Sequence, residues 1–142
     1  MMFFILQPEG GNLLQIADLD SIDTIACLIA ATCHDFGHDG LTNAFHVSAM
    51  TERSIRYNDV SVQESYHAAE SLKLLLEPQN NFLNEFTTDD FKAFKRRMVS
   101  AILSTDMAKH TEDLESFKRR LQITGISGEL NNGTLFIDKS NG

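Results

Sequence analysis

The chain has 142 residues, 42% hydrophobic and 23% charged, with 20 acidic against 12 basic side chains and a net charge of -8. That is enough for one domain with a core, at ordinary globular composition. The acidic balance argues against a nucleic-acid footprint, which is normally basic, but leaves an anionic small substrate open, because a bound cation can dominate its local field.

The opening run Met1-Met2-Phe3-Phe4-Ile5-Leu6 is apolar, has no basic flank and is closed by Gln7-Pro8-Glu9-Gly10-Gly11. It is too short for a signal peptide and far too short for a membrane span. Asp20 or Ser21 then caps a predicted helix through Ile22, Ile25, Ala26, Leu28, Ile29 and Ala30. It is apolar on nearly every side, which makes it central. Cys27 and Cys33 lie six apart in it, a poor spacing for a bridge within one straight helix. They read as buried thiols of a reducing compartment, and a cytoplasmic protein is expected. His34 and Asp35 fall at the helix end, where Gly37 and Gly40 loosen the chain.

Thr42 to Met50 reads as a short helix with Phe45, Val47 and Met50 partly buried. Ser61 to Leu76 reads as a longer one: Ser61 with Glu64 fits a capping box, Leu72, Leu75 and Leu76 give an apolar face, and Pro78 follows its end. Thr87 or Thr88 caps a helix carrying Phe91, Phe94, Met98, Ala101 and Ile102 at helical spacing, with Lys95-Arg96-Arg97 as its solvated face. Met107, Leu114, Phe117 and Leu121 continue the pattern. No strand pattern appears. From Gly125 the chain turns to Gly, Asn and Ser, with only Leu135-Phe136-Ile137 apolar, which reads as a tail over 125–142. The expected fold is all-α, a multi-helix bundle over 1–124. Ile25, Leu28, Ile29, Phe45, Leu72, Leu75, Phe94, Met98, Ile102 and Leu114 form its expected core.

The run His34-Asp35-Phe36-Gly37-His38-Asp39-Gly40 carries the chemistry. Two imidazoles lie four apart, with a carboxylate beside the first; on a helix, positions four apart share a face. Neutral imidazole and carboxylate suit divalent Zn, Mn, Fe or Mg. The pattern points to metal-assisted hydrolysis, although two histidines at this spacing also arise by chance in helices.

Two further runs follow in order: Tyr57-Asn58-Asp59-Val60-Ser61-Val62-Gln63-Glu64-Ser65-Tyr66-His67 and Ile102-Leu103-Ser104-Thr105-Asp106-Met107-Ala108-Lys109-His110. With His34 to Phe45, they resemble the catalytic domain of class I 3′,5′-cyclic nucleotide phosphodiesterases, whose patterns are HDxxHxGxxNxF, YNDxSVLExHH and ILATDMxxH. The resemblance covers roughly residues 3 to 121 and implies the central part of a larger helical catalytic domain.

It implies hydrolysis of cAMP or cGMP to 5′-monophosphates in signal transduction, with two divalent metal ions, Zn and Mg or Mn. His34 and Asp35 would be metal ligands, Asp35 bridging both. His38 and Glu64 would act on the activated water, with Thr105 and Asp106 holding metal-associated waters. Met107 would line the substrate pocket. Asn43, Tyr57, Asn58, His67 and His110 match the patterns too and are read mainly as structure around the site. His46 lies outside the patterns and is read as a surface or packing residue.

The chain departs from the patterns at Asp39, where Pro is common, at Gln63 for Leu, at Tyr66 for the first His of a pair and at Ser104 for Ala. The family's upstream HNxxH motif, with its general acid, and its downstream Asp, Gln and aromatic clamp do not occur here. The expectation is a fragment with little activity alone, weakly stable or prone to associate, because flanking helices that cover its apolar faces are missing. Two alternatives stand beside this: another HD-type metal phosphohydrolase, which leaves the other two runs unexplained, and a non-catalytic helical fragment that packs or binds a partner.

Overall fold

The structure, a computed structural model, describes residues 1–123, 130–131 and 134–135, and divides into two units, Met1–Asp106 and Met107–Gly142. The first carries α1 (Met2–Leu6), α2 (Leu13–Ile16), α3 (Ser21–Cys33), α4 (Asn43–Ser48), α5 (Glu52–Arg56), α6 (Val62–Leu76) and α7 (Thr88–Leu103). A 3-10 turn, Phe82–Glu85, links the last two.

The long helices begin where their caps dictate. Asp20, in extended backbone, accepts the Asp23 N–H at 2.6 Å, and the Asp23 carboxylate accepts the Asp20 N–H at 3.1 Å, a reciprocal capping box. Thr87 accepts the Asp90 N–H at 3.2 Å and starts α7. Thr42 accepts the Phe45 N–H at 3.1 Å and starts α4.

The core forms where α3 and α6 pack on α7, the α3–α7 contact being the most extensive. α3 buries Ala26 and Ala30, one turn apart, and small side chains there let α7 approach closely with Phe94, Met98 and Ile102, all fully buried. Ala68 of α6 and Leu83 of the 3-10 turn complete the cluster. Phe94 meets Phe82 and Phe86 edge-on, with centroids 6.2 and 5.9 Å away, an arrangement the ring quadrupoles favour. Arg97 leaves the charged face of α7 to bond Asp20 at 2.8 Å and Asp23 at 2.9 Å, so it is an inter-helix tie rather than part of a wholly solvated face.

Several expected core positions sit elsewhere. Ile25, Leu28, Ile29, Leu72 and Leu75 are half-buried, because α3 and α6 are covered on only part of their circumference. Phe45 and Leu114 are exposed, because each lies on the outward side of a helix with little packed over it. His46 is buried. Cys27 and Cys33 are free, half-buried thiols, and burial together with nearby Asp23 pushes the Cys27 thiol pKa up, against a lowering by Arg97. Ile16, Met50 and Ile55 present apolar side chains to solvent.

The second unit opens with a 3-10 turn, Met107–Lys109, and continues as α8 (His110–Ile123). Two short antiparallel strands, β1 (Leu130–Asn131) and β2 (Thr134–Leu135), pair Leu130 with Leu135 and Asn131 with Thr134. The segment read as free of strands thus holds one short antiparallel pair, each strand too short to show an alternating pattern, and the fold is all-α as expected. The boundary expected at 124 lies outside the described residues. Among the described residues no helix is long and apolar enough to cross a membrane.

Candidate functional site

α3 ends at Cys33, with His34 still in helical conformation as its C-cap. The next residues leave the helix: the Phe36 N–H bonds Cys33 O at 2.9 Å and the His38 N–H bonds Asp35 O at 3.1 Å, both turn-type contacts. Gly37 and Gly40 take left-handed backbone, φ +72° and +82°, which favours glycine. His34 and His38 therefore do not share a helix face; two turns, rather than helical spacing, bring His38 back.

The imidazole of His34 is fixed by its Nδ1, which donates to Ala31 O at 3.0 Å. In a neutral ring that leaves a lone pair on Nε2, and this atom faces Asp35 Oδ2 at 3.1 Å. Two acceptors so placed need a proton or a cation between them. Asp35, His38 and His67 offer ligand atoms that all lie within 4.8 Å of one another, the only such group among the described residues. His67 comes from α6 and is buried; its Nδ1 donates to Phe36 O at 2.8 Å, which leaves Nε2 with a free lone pair in the neutral ring. Burial pushes its pKa down, helped by His38 and opposed by the Phe36 carbonyl, Asp35 and Glu64. It stands ready as a neutral ligand or acceptor.

His38 stacks on His67 with centroids 5.4 Å apart. Its Nδ1 accepts the Gly40 N–H at 2.8 Å, so a neutral His38 carries its proton on Nε2 and presents a donor. Within the group of Asp35, His38 and His67, the Asp35 carboxylate and the His67 Nε2 lone pair suit a hard-to-borderline divalent cation; His34 faces Asp35 but lies outside the group.

The other candidate residues are held by different partners. Glu64 lies three residues before His67 on α6, so the two share a face. Its Oε2 accepts the Asn43 side-chain N–H at 2.9 Å, while Asn43 Oδ1 accepts the Gln63 N–H at 2.8 Å. Asn43 thus takes the cap position that Ser61 was expected to fill. Ser61 adopts φ +45°, makes no cap bond and instead donates its hydroxyl to Asp106 Oδ2 at 2.7 Å. The Ser61–Glu64 capping box is absent because that hydroxyl is committed to a buried carboxylate. Asn58 and Asp59 are also left-handed, so the turn into α6 stores backbone strain.

Thr105 donates its hydroxyl to Ile102 O at 2.7 Å, and it shares with His34 the wall of a mostly apolar cavity of about 310 Å³, lined also by Ile5, Cys27 and Ala101. Asp106 is buried, and neither it nor Glu64 enters the group of Asp35, His38 and His67. Met107 is exposed and begins the second unit. His67, read from sequence mainly as structural, belongs to the cluster; its spacing from Glu64 was the available signal.

With this geometry in hand, comparisons identify relatives. The sequence pattern of the family described as 3′5′-cyclic nucleotide phosphodiesterase matches residues 1–137. The chain is 38% identical over 107 residues to the human high affinity cGMP-specific 3′,5′-cyclic phosphodiesterase 9A, covering 75% of this chain and 18% of that protein. It is 40% identical over 118 residues to the dual 3′,5′-cyclic-AMP and -GMP phosphodiesterase beta of Plasmodium falciparum, covering 83% and 10%. In structure it is similar to the phosphodiesterase domain of the RhoPDE fusion protein from the choanoflagellate Salpingoeca rosetta, at a TM-score of 0.73 and 35% identity, over 81% of this chain and 35% of that one. The chain spans less than a fifth of the length of the curated relatives named here.

Proposed function

Because the chain belongs to the 3′,5′-cyclic nucleotide phosphodiesterase family, we propose that it forms part of a catalytic domain that hydrolyses cAMP or cGMP to the 5′-monophosphate in signal transduction. The observation that carries this reading is the approach of His34 Nε2 to Asp35 Oδ2 at 3.1 Å, with Asp35 also in one cluster with His38 and His67. In the reaction a water oxygen bonds to phosphorus, the P–O3′ bond breaks, and the departing oxygen takes up a proton.

His34 and Asp35 would hold a divalent cation, Asp35 bridging to a second, with Zn and Mg or Mn as the pair. Such ions, when bound, neutralise phosphate charge and acidify a water. His38 would offer its Nε2–H to the attacking water or to a phosphate oxygen, and Glu64, steadied by Asn43, would orient that water. Thr105 and Asp106 would hold further waters, and Met107 would line the substrate pocket. Residues 1–124 would belong to the catalytic domain, with 125–142 a tail, in a cytoplasmic protein. The general acid of the family's HNxxH motif does not occur among these 142 residues, so this chain assayed alone should turn over little substrate. Loss of a general acid alone removes about 10²–10⁴ in rate.

The test grafts residues 1–123 into the matching segment of the choanoflagellate phosphodiesterase domain and assays cAMP and cGMP with Mn²⁺. Turnover that Asp35→Ala abolishes is the expected result. A folded graft that binds Mn²⁺ but hydrolyses neither nucleotide, or one whose turnover survives Asp35→Ala, overturns the reading.

A further inference from the structure

The loop from His34 to Gly40 has little structure of its own, yet it carries Asp35 and His38. Ordering such a loop costs about 1–2 kcal/mol of backbone entropy per residue, so it needs clamps from outside. One residue of α5 supplies most of them. Arg53 donates to Gln63 Oε1 at 2.6 Å and to Gly37 O at 3.3 Å, and pairs with Asp39 Oδ2 at 3.2 Å. Its guanidinium carbon lies 3.5 Å from the centroid of the Tyr66 ring.

The partners of Arg53 also bind one another. Gln63 donates to Asp39 Oδ1 at 2.7 Å and to Leu41 O at 3.0 Å. His46, buried, lies 3.3 Å from Asp39. Desolvation pushes the Asp39 pKa up, but the Leu41 amide, Gln63, Arg53 and His46 outweigh it and bring the carboxyl down to about 2. Tyr66 closes the other side: a Cβ placed on Gly37 would come within 3.1 Å of its ring.

Asp39, Gln63 and Tyr66 all touch Arg53. One guanidinium with five donors collects these side chains into a single ion-paired cluster. A lysine could keep the charge opposite Asp39 but could not fork to three acceptors and stack on a ring.

We propose that Arg53 is the positioning residue of the site, holding the 34–40 loop against α6 and so setting where Asp35 and His38 stand relative to His67. The effect on cation binding rests on the metal-site reading above; the positioning itself does not.

Two measurements on the full chain separate them. Amide hydrogen exchange, without metal, follows His38, Gly40 and Leu41 against the amides of α7. Arg53→Leu speeds the loop amides at least about tenfold beyond any change in α7, Arg53→Lys gives an intermediate effect, and Leu83→Ala, a core truncation far from the loop in sequence, moves both sets in step. Loop amides that change no more than those of α7 overturn the proposal. Mn²⁺ titration then reads the ligands: Arg53→Leu weakens binding about 10–100-fold, the range for loss of a supporting contact, while Leu83→Ala leaves the folded protein's affinity unchanged. Equal Mn²⁺ affinity in wild type and Arg53→Leu overturns the link to the ligands. A wild type that binds no Mn²⁺ but shows the loop effect supports the positioning role and shows that the ligands of this chain alone do not hold the cation.

Discussion

Where α3 meets α7, the buried side chains are Ala26, Ala30, Phe94, Met98 and Ile102, and no hydrogen bond is needed among them. A few residues further along, the 34–40 loop meets α5 and α6 through Asp39, Arg53, Gln63 and Tyr66, joined by ion pairs, hydrogen bonds and a guanidinium–ring contact. The first region depends on area and fit, which fail by degrees. The second depends on paired polar groups, where removing one partner strands another without a mate. The proposed chemistry sits on the second region, and the first gives the base that keeps its two ends in place.

The largest expected effect tests that division. Phe94→Ala removes a fully buried ring packed edge-on against two others and should cost about 3–5 kcal/mol, read from the urea midpoint. That is a large part of the roughly 5–15 kcal/mol that holds a typical domain folded. Under native conditions the variant should loosen α7 and α3 together while leaving the relative protection of the loop amides unchanged. Selective loosening of the loop by Phe94→Ala would break the comparison, since the two regions would then be one cooperative network.

These two regions also differ in how far a reader of the sequence can see. α3, α6 and α7, with their caps at Asp20 and Thr87, follow from local spacing, because the partners of a helix repeat every few residues. The core stripe of Phe94, Met98 and Ile102 follows for the same reason. α1, α2 and α5, five residues or fewer, are too short for a period to register. The candidate site was legible as residue types, but its ties span long separations: Ser61 to Asp106 across 45 positions, Asn43 to Gln63 across 20. No local pattern encodes those, which is why the sequence suggests a capping box at Ser61 and gives no sign of the contacts made by Arg53. Even His34 and His38, four apart, meet their partners through glycine turns rather than through a helix.

A middle-sized effect sharpens the polar side. Asn43→Ala removes the acceptor of the Gln63 N–H and the donor to Glu64 at once. The cost should be about 1–3 kcal/mol, the range for leaving a buried polar group without its partner. Unlike Phe94→Ala, it should fray the first turn of α6, visible as faster exchange at Gln63 and Glu64 with α7 protected. Asn43→Asp keeps the acceptor and loses the donor, and should recover part of the stability but not the steadying of Glu64. Equal exchange at Gln63 in wild type and Asn43→Ala would show that the cap contributes nothing.

The smallest effect lies at the seam, where a polar tie crosses the apolar interface. The Asp23 amide holds the Asp20 carboxyl below the usual range, against desolvation and with help from Arg97. A carboxylate whose folded pKa is lowered adds stability above its unfolded pKa and loses it as pH falls through the folded value. Asp20→Asn keeps an oxygen for the Asp23 N–H, since Asn caps about as well as Asp, but removes the charge opposite Arg97. The variant should therefore melt slightly below wild type near neutral pH, and the two melting curves should converge as pH drops below the ordinary carboxylate range. Added salt should narrow the neutral-pH gap as well, because an exposed pair is screened by mobile ions. A gap that persists unchanged at low pH and in high salt would mean that Asp20 acts through the geometry of the cap alone, and that Arg97 is held against α3 by packing of its stem rather than by its charge.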